Sequence, residues 1–86
     1  MGSVKVYGAD WCEDTRSARE QLDSLGVDYD YINIEDDAQA AAWVREQNQG
    51  KERKPTIKVG ERVLSVPGAA ELEEALGAEG VFKEKG

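Results

Sequence analysis

The N-terminal part of the chain changes its hydrophobic period twice, and this double change constrains the fold more than any other feature. Alternating apolar residues before Gly8 predict a short buried strand over about residues 3–8. Apolar residues then recur at three- and four-residue spacing over residues 12–26, which predicts a helix. Residues 27–34 return to alternation and predict a second strand. Because strand–helix–strand crossovers are right-handed, the two strands are expected to lie parallel in one sheet.

The rest of the chain predicts two more helices and a β-hairpin. Either Asp36 or Asp37 is placed to cap the second helix, because both precede its apolar pattern. The hairpin turns at Gly60-Glu61 and adds two antiparallel strands to the sheet. The predicted elements are a helix up to about Gln49, strands over residues 56–59 and 62–65, and a last helix that begins at Pro67-Gly68. Together they predict an α/β domain with a four-stranded mixed sheet flanked by three helices.

Length and composition restrict the class of protein further. The 86 residues predict a single domain with a core over about residues 3–77 and a tail over residues 78–86. No apolar run reaches the roughly 20 residues of a membrane span, so we expect a cytoplasmic protein, monomeric and without membrane partners. A net charge of −7 argues against nucleic-acid binding. The absence of histidine excludes Cys-His hydrolases and imidazole metal sites, and no metal ligand is assigned.

Cys12 is the only cysteine, and it lies where the first strand pattern gives way to the helix pattern. Free N–H groups and the positive end of the helix dipole favour a thiolate at such a position. A lone cysteine is often a buried small hydrophobe, but this position favours a nucleophile. Thr15 stands where a CxxC motif would have its second sulfur, so a dithiol cycle is excluded.

Three segments of the chain, VYGADWCEDT, KPTIKV and VPGAAEL, resemble the glutaredoxin branch of the thioredoxin superfamily. The similarity covers residues 3 to about 77 and is greatest to bacterial mycoredoxin-like proteins. It implies the thioredoxin-like (glutaredoxin) fold, and it implies that Cys12 faces a cis-proline at Pro55. In this family the residue before that proline, here Lys54, offers backbone groups to a bound thiol.

Further site residues follow from their side chains and from their positions near Cys12. Thr15 is expected to donate a hydrogen bond to the Cys12 thiolate, and Trp11 to flank the substrate. Gly68 and Ala69 occupy the turn before the last helix, where glutathione-using relatives carry a different motif. Lys54 is itself a departure, because relatives usually have a small β-branched residue there. These departures predict a pocket that accepts glutathione poorly or prefers another small thiol.

Three functions follow from these features. The leading hypothesis is a monothiol oxidoreductase that reduces mixed disulfides of proteins or small molecules, with glutathione or a similar thiol as cosubstrate and no tightly bound cofactor. The second is an iron–sulfur carrier, in which two chains each supply Cys12 and two small thiols complete the ligands. The third is an interaction module on the same fold, with an incidental thiol.

Overall fold

The computed structural model describes residues 4–81, and over that range it contains the predicted order of elements, β-α-β-α-β-β-α. The strands are β1 (Val4–Gly8), β2 (Asp30–Asn33), β3 (Thr56–Val59) and β4 (Arg62–Ser65), and the helices are α1 (Glu13–Ser24), α2 (Ala38–Gln47) and α3 (Ala69–Ala78). The four-stranded sheet with three helices is therefore confirmed. The bounds of β3 and β4 also agree with the predicted hairpin.

The sheet has the strand order β2-β1-β3-β4. β1 pairs parallel with β2, as the right-handed crossover requires. β3 runs antiparallel to both β1 and β4. The sheet is therefore mixed, with β1 and β3 at its centre.

The second strand is shorter than its sequence pattern predicts. It begins at Asp30 rather than at Val27, because the Val27 N–H donates to the Leu22 carbonyl at 3.0 Å and so closes the end of α1. Gly26, with φ of 72°, makes the turn that this closure needs. The first residues of the predicted strand therefore form the connection out of the helix.

The ends of α2 and α3 also differ slightly from the predictions. Of the two predicted caps, Asp37 is the one that caps α2, and its side chain accepts a hydrogen bond from Ala40 N. The helix ends at Gln47, two residues before the predicted end. α3 continues through Gly77 to Ala78, so the predicted tail begins inside a helix. The last part of that tail, residues 82–86, lies outside the described residues.

The core consists of two layers, one on each face of the sheet. α1 and α3 cover the first face, whose buried residues include Val6, Leu22 and Leu72. α2 covers the second face, where Val44 and Ile34 are buried and the rings of Tyr7 and Trp43 pack against them. Among the described residues, none of the helices is long and apolar enough to cross a membrane.

Candidate functional site

Cys12 lies at the N-cap of α1, immediately after the loop that follows β1. Its backbone is extended, with φ of −83° and ψ of 121°, and its N–H donates to the Ala9 carbonyl at 3.1 Å. The residue is half-buried, so the sulfur is held in place and still reachable. The positive end of the helix dipole and two carboxylates of the first turn, Glu13 and Asp14, therefore lie beside the sulfur.

The segment before β3 brings a backbone carbonyl to the sulfur. Cys12 Sγ donates to the carbonyl oxygen of Lys54 at 3.6 Å, across 42 residues of sequence. The Lys54-Pro55 peptide bond is cis, which confirms the conformation implied by the resemblance. Pro55 is buried, and its carbonyl accepts from Val66 N at 2.8 Å. The thiol and the cis-proline segment therefore face each other.

Trp11 and Lys54 form one flank of the thiol. The Trp11 side chain is 64% exposed, and its Nε1 donates to Glu35 Oε2 at 2.7 Å. Lys54 Nζ lies 5.5 Å from the centre of the indole ring, within the range of a cation–π contact. The same ammonium is 3.9 Å from Glu52 Oε1. An aromatic surface and a cation thus lie side by side at the rim of the site.

Thr15 is not placed as the predicted hydrogen-bond donor to Cys12. It is fully buried on the inward face of α1, and its Oγ1 accepts a hydrogen bond from Ala9 N at 3.4 Å. Between these two described residues, Thr15 and Cys12, the structure contains no hydrogen bond. The helical period explains the difference, because Thr15 shares the buried face of α1 with Ala18 and Leu22. In this structure Thr15 supports the loop that precedes Cys12.

Gly68 and Ala69 line a cleft of about 360 Å³ between α1 and the turn before α3. Gly68 is the N-cap of α3, and the Ala69 carbonyl accepts from Gln21 Nε2 at 2.8 Å. Val66, at one end of this turn, has a φ of 44°, which is unusual for a β-branched residue. The full lining consists of Asp14, Ser17, Ala18, Gln21, Val66, Pro67, Gly68 and Ala69. The cleft and Trp11 are therefore both placed beside the start of α1.

The sequence analysis missed a polar group next to the active loop. Tyr31 on β2 donates from its hydroxyl to Asp10 Oδ1 at 2.7 Å, and the Arg19 guanidinium lies 3.9 Å from the centre of the Tyr31 ring. Burial, and then this hydrogen bond to Asp10, raise the pKa of Tyr31 to about 12. The contact anchors one of the acids beside Cys12. The alternating pattern of the second strand placed Tyr31 in a strand, but such a pattern does not identify Asp10 as its partner.

The chemistry that the site can perform follows from a single reactive atom. Cys12 is a free cysteine, and no group of three or more potential metal-ligating side chains comes together within residues 4–81. A thiolate at this position can attack a disulfide sulfur. The opposing Lys54 backbone and the adjacent cleft provide surfaces on which the attacked molecule can rest.

Comparisons with known proteins agree with this geometry. The sequence profile of the family described as Glutaredoxin matches residues 4–64. The chain is 36% identical over 73 residues to Mycoredoxin 1 of Corynebacterium glutamicum, covering 84% of this chain and 90% of that protein.

Solved structures show the same fold at lower identity. The glutaredoxin-like protein NrdH-redoxin from Escherichia coli superposes with a TM-score of 0.73 at 20% identity, over 83% of this chain and 91% of that one. A glutaredoxin from Archaeoglobus fulgidus gives a TM-score of 0.73 at 21% identity, over 88% and 87% of the two chains. The chain therefore belongs to the glutaredoxin family of thiol–disulfide oxidoreductases and is a redox protein with the thioredoxin-like fold.

Proposed function

We propose that the protein reduces mixed disulfides by a monothiol cycle in which Cys12 is the only protein sulfur that reacts. The observation that carries this proposal is the position of Cys12, half-buried at the start of α1 and 3.6 Å from the Lys54 carbonyl. No other cysteine occurs in the chain, so no second protein thiol can resolve an intermediate. Regeneration must use a thiol from solution.

The cycle has two exchange steps. In the first, the Cys12 thiolate attacks the small-thiol sulfur of the substrate, a protein or a small molecule that carries a mixed disulfide. A new disulfide forms between Cys12 and the small thiol, and the substrate leaves as a thiolate that takes a proton from water. In the second step, the thiolate of another small-thiol molecule attacks the sulfur of the small thiol that is bound to Cys12. This releases the Cys12 thiolate and a small-molecule disulfide, so two electrons pass from the small thiol to the substrate.

The residues around Cys12 have distinct proposed roles. The backbone of Lys54, held before Pro55, supports the bound disulfide, and the Lys54 ammonium attracts a carboxylate near it. The exposed ring of Trp11 covers one side of the substrate. Gly68 and Ala69 shape the cleft on the opposite side.

The small thiol of this proposal is glutathione or another thiol of similar size, such as mycothiol. A carboxylate, a hydroxyl and an amide, from Asp14, Ser17 and Gln21, line the cleft. None of the residues that line this cleft is a lysine or arginine. This lining favours a thiol with hydroxyl or amino groups over a dicarboxylate. We also propose the cytoplasm as its compartment, where thiols are kept reduced.

Replacement of the sulfur tests the proposal. Cys12→Ser should abolish reduction of a glutathionylated peptide in a coupled assay, run once with glutathione and once with mycothiol as reductant. Serine is also a favourable N-cap residue, so the variant should remain folded by circular dichroism. Equal turnover by Cys12→Ser and the unchanged protein would refute the monothiol cycle. A faster rate with glutathione than with mycothiol would refute only the preference inferred from the cleft.

A further inference from the structure

A chain of hydrogen bonds joins the C-terminal end of α2 to the segment that faces Cys12. Asn48, the C-cap residue of α2, is half-buried. Its Nδ2 donates to the Val44 carbonyl at 2.7 Å and to Thr56 Oγ1 at 3.1 Å. The amide thus connects the last turn of the helix to the first residue of β3.

Thr56 extends this connection into the segment formed by residues 51–55. Its side chain is fully buried, and its hydroxyl donates to the Arg53 carbonyl at 2.8 Å. Arg53 is followed by Lys54, whose carbonyl oxygen accepts from Cys12 Sγ. The hydrogen bonds from Asn48 to Thr56 and from Thr56 to Arg53, here called the relay, therefore end one residue before the group that contacts the sulfur.

The ion pairs on this segment share Glu52, whose side chain is 40% exposed. Arg45 pairs with Glu52 at 2.6 Å, and both side chains are about two-fifths exposed, at 44% and 40%. Lys54 reaches the same carboxylate only at 3.9 Å. Exposed ion pairs contribute little to holding a backbone in place, and salt weakens them further. A buried hydroxyl that is hydrogen-bonded on both sides is the stronger anchor.

We propose that Asn48 is a positioning residue for disulfide exchange at Cys12, acting through Thr56 on the backbone of residues 53–54. This inference rests on the proposed function, because it takes Cys12 as the reacting group. The amide suits the task, since Nδ2 donates two hydrogen bonds while Oδ1 accepts from Ser65 Oγ. A carboxylate at this position would keep the acceptor and lose both donors.

Two substitutions at Thr56 separate positioning from simple stability. Thr56→Val keeps the shape and removes the hydroxyl, whereas Thr56→Ser keeps the hydroxyl and removes a buried methyl group. If the relay positions the site, KM for a glutathionylated peptide should rise about fivefold in Thr56→Val and stay near the original value in Thr56→Ser. The kcat of both should change by less than about twofold. If Thr56 only stabilised the fold, KM would instead rise in whichever variant has the lower melting temperature.

Substitutions at Asn48 and Ser65 test the first bond of the relay. Asn48→Leu removes both donors and should raise KM about as much as Thr56→Val does. The variant that combines Asn48→Leu with Thr56→Val should show no further rise in KM. Ser65→Ala is the matched control, because it removes a bond to the same amide and leaves the relay intact. It should leave KM unchanged.

Alkylation of Cys12 by iodoacetamide tests the relay without turnover. When the Lys54 carbonyl moves away, the thiol loses its acceptor, and alkylation should become about twofold faster or more in Asn48→Leu and Thr56→Val. Alkylation at the original rate in both variants would overturn the relay, as would equal KM values for Thr56→Val and Thr56→Ser. Absence of Cys12-dependent turnover in the unchanged protein would instead refute the proposed function, while the alkylation rates would still decide the relay.

Discussion

The two faces of the sheet are packed to very different extents. Within residues 4–81, the face under α1 and α3 contains eleven buried residues in one cluster, whereas the face under α2 contains four. Cys12 is the N-cap of α1, and α1 packs on the first face. The segment that opposes it follows α2, on the second face. One side of the site is therefore held by a large apolar core and the other by a small one.

This difference indicates how the site keeps its shape. Burial of apolar surface stabilises roughly in proportion to area, so the α1 layer holds the sulfur through many contacts. The α2 layer has less apolar area, and it adds an aromatic pair, Tyr7 and Trp43, whose ring centres are 4.6 Å apart. Polar side chains, Asn48 and Thr56, then connect it to residues 51–55. The reactive atom and the backbone that faces it thus depend on different forces.

The largest effect should come from equal truncations on the two faces. Leu22→Ala and Ile34→Ala remove the same number of carbon atoms from buried side chains, which are 0% and 4% exposed. Leu22→Ala should lower the free energy of unfolding by about 4 kcal/mol, because its dense surroundings cannot close the cavity. Ile34→Ala should cost about 2 kcal/mol, because the smaller layer at the sheet edge can relax. Urea unfolding measures both, and equal losses would contradict the comparison.

A smaller effect is expected where β1 touches α1. A methyl group added to Gly8 would collide with the buried Thr15 side chain, 2.7 Å from Cγ2. Gly8→Ala should therefore destabilise the protein by about 2 kcal/mol, through overpacking. Gly77→Ala is the control, because a Cβ there meets nothing within 4 Å inside α3. It should stabilise the protein by about 0.5 to 1 kcal/mol. Thermal unfolding measures both variants, and a change in stability of the same sign in both would refute the close packing of Gly8 against Thr15.

The architecture could be predicted because it depends on local patterns. Periodicity, the turn at Gly60 and the handedness of crossovers were sufficient for the element order and for the position of Cys12. The helical spacing predicted that Ala18 and Leu22 point inward, and in the structure Thr15, three residues before Ala18, shares their buried face.

The polar contacts of the site could not be predicted from the sequence. Tyr31 and Asp10 are 21 residues apart, and Asn48 and Ser65 are 17 apart. Hydrophobic period indicates which face a residue occupies, but it does not identify the side chain that it meets across a strand or a loop. Such pairs depend on register and on loop geometry, which form only in the folded chain.

Two equally exposed valines provide the next test. Val66 lies beside the cleft at a φ of 44° and is 39% exposed, whereas Val63 lies in β4 and is 38% exposed. Val66→Asn should stabilise by about 0.5 to 1 kcal/mol, because asparagine tolerates the left-handed region and valine does not. Val63→Asn should destabilise by a similar amount, since asparagine is unfavourable in strands. A loss of stability in Val66→Asn would mean that contacts of the valine side chain outweigh its backbone strain.

The last prediction concerns the pH dependence of stability at Tyr31, which packs at the edge of the larger layer. Burial and the hydrogen bond to Asp10 raise its pKa to about 12, above its ordinary value of 10.0. The folded state therefore holds the phenol proton more tightly than the unfolded state, and this contribution to stability is fully present below pH 10. It should decline as the pH rises from about 10 to about 12.

Tyr31→Phe should remove this decline. The difference in unfolding free energy between the unchanged protein and the variant should be constant from pH 7 to pH 9 and should shrink from pH 10 to pH 12. Ultraviolet titration of the variant should also lose the phenol that ionises near pH 12. A constant difference across the whole range would show that neither burial nor the hydrogen bond to Asp10 raises the pKa of Tyr31. The larger layer would then stabilise the loop before Cys12 only through packing contacts.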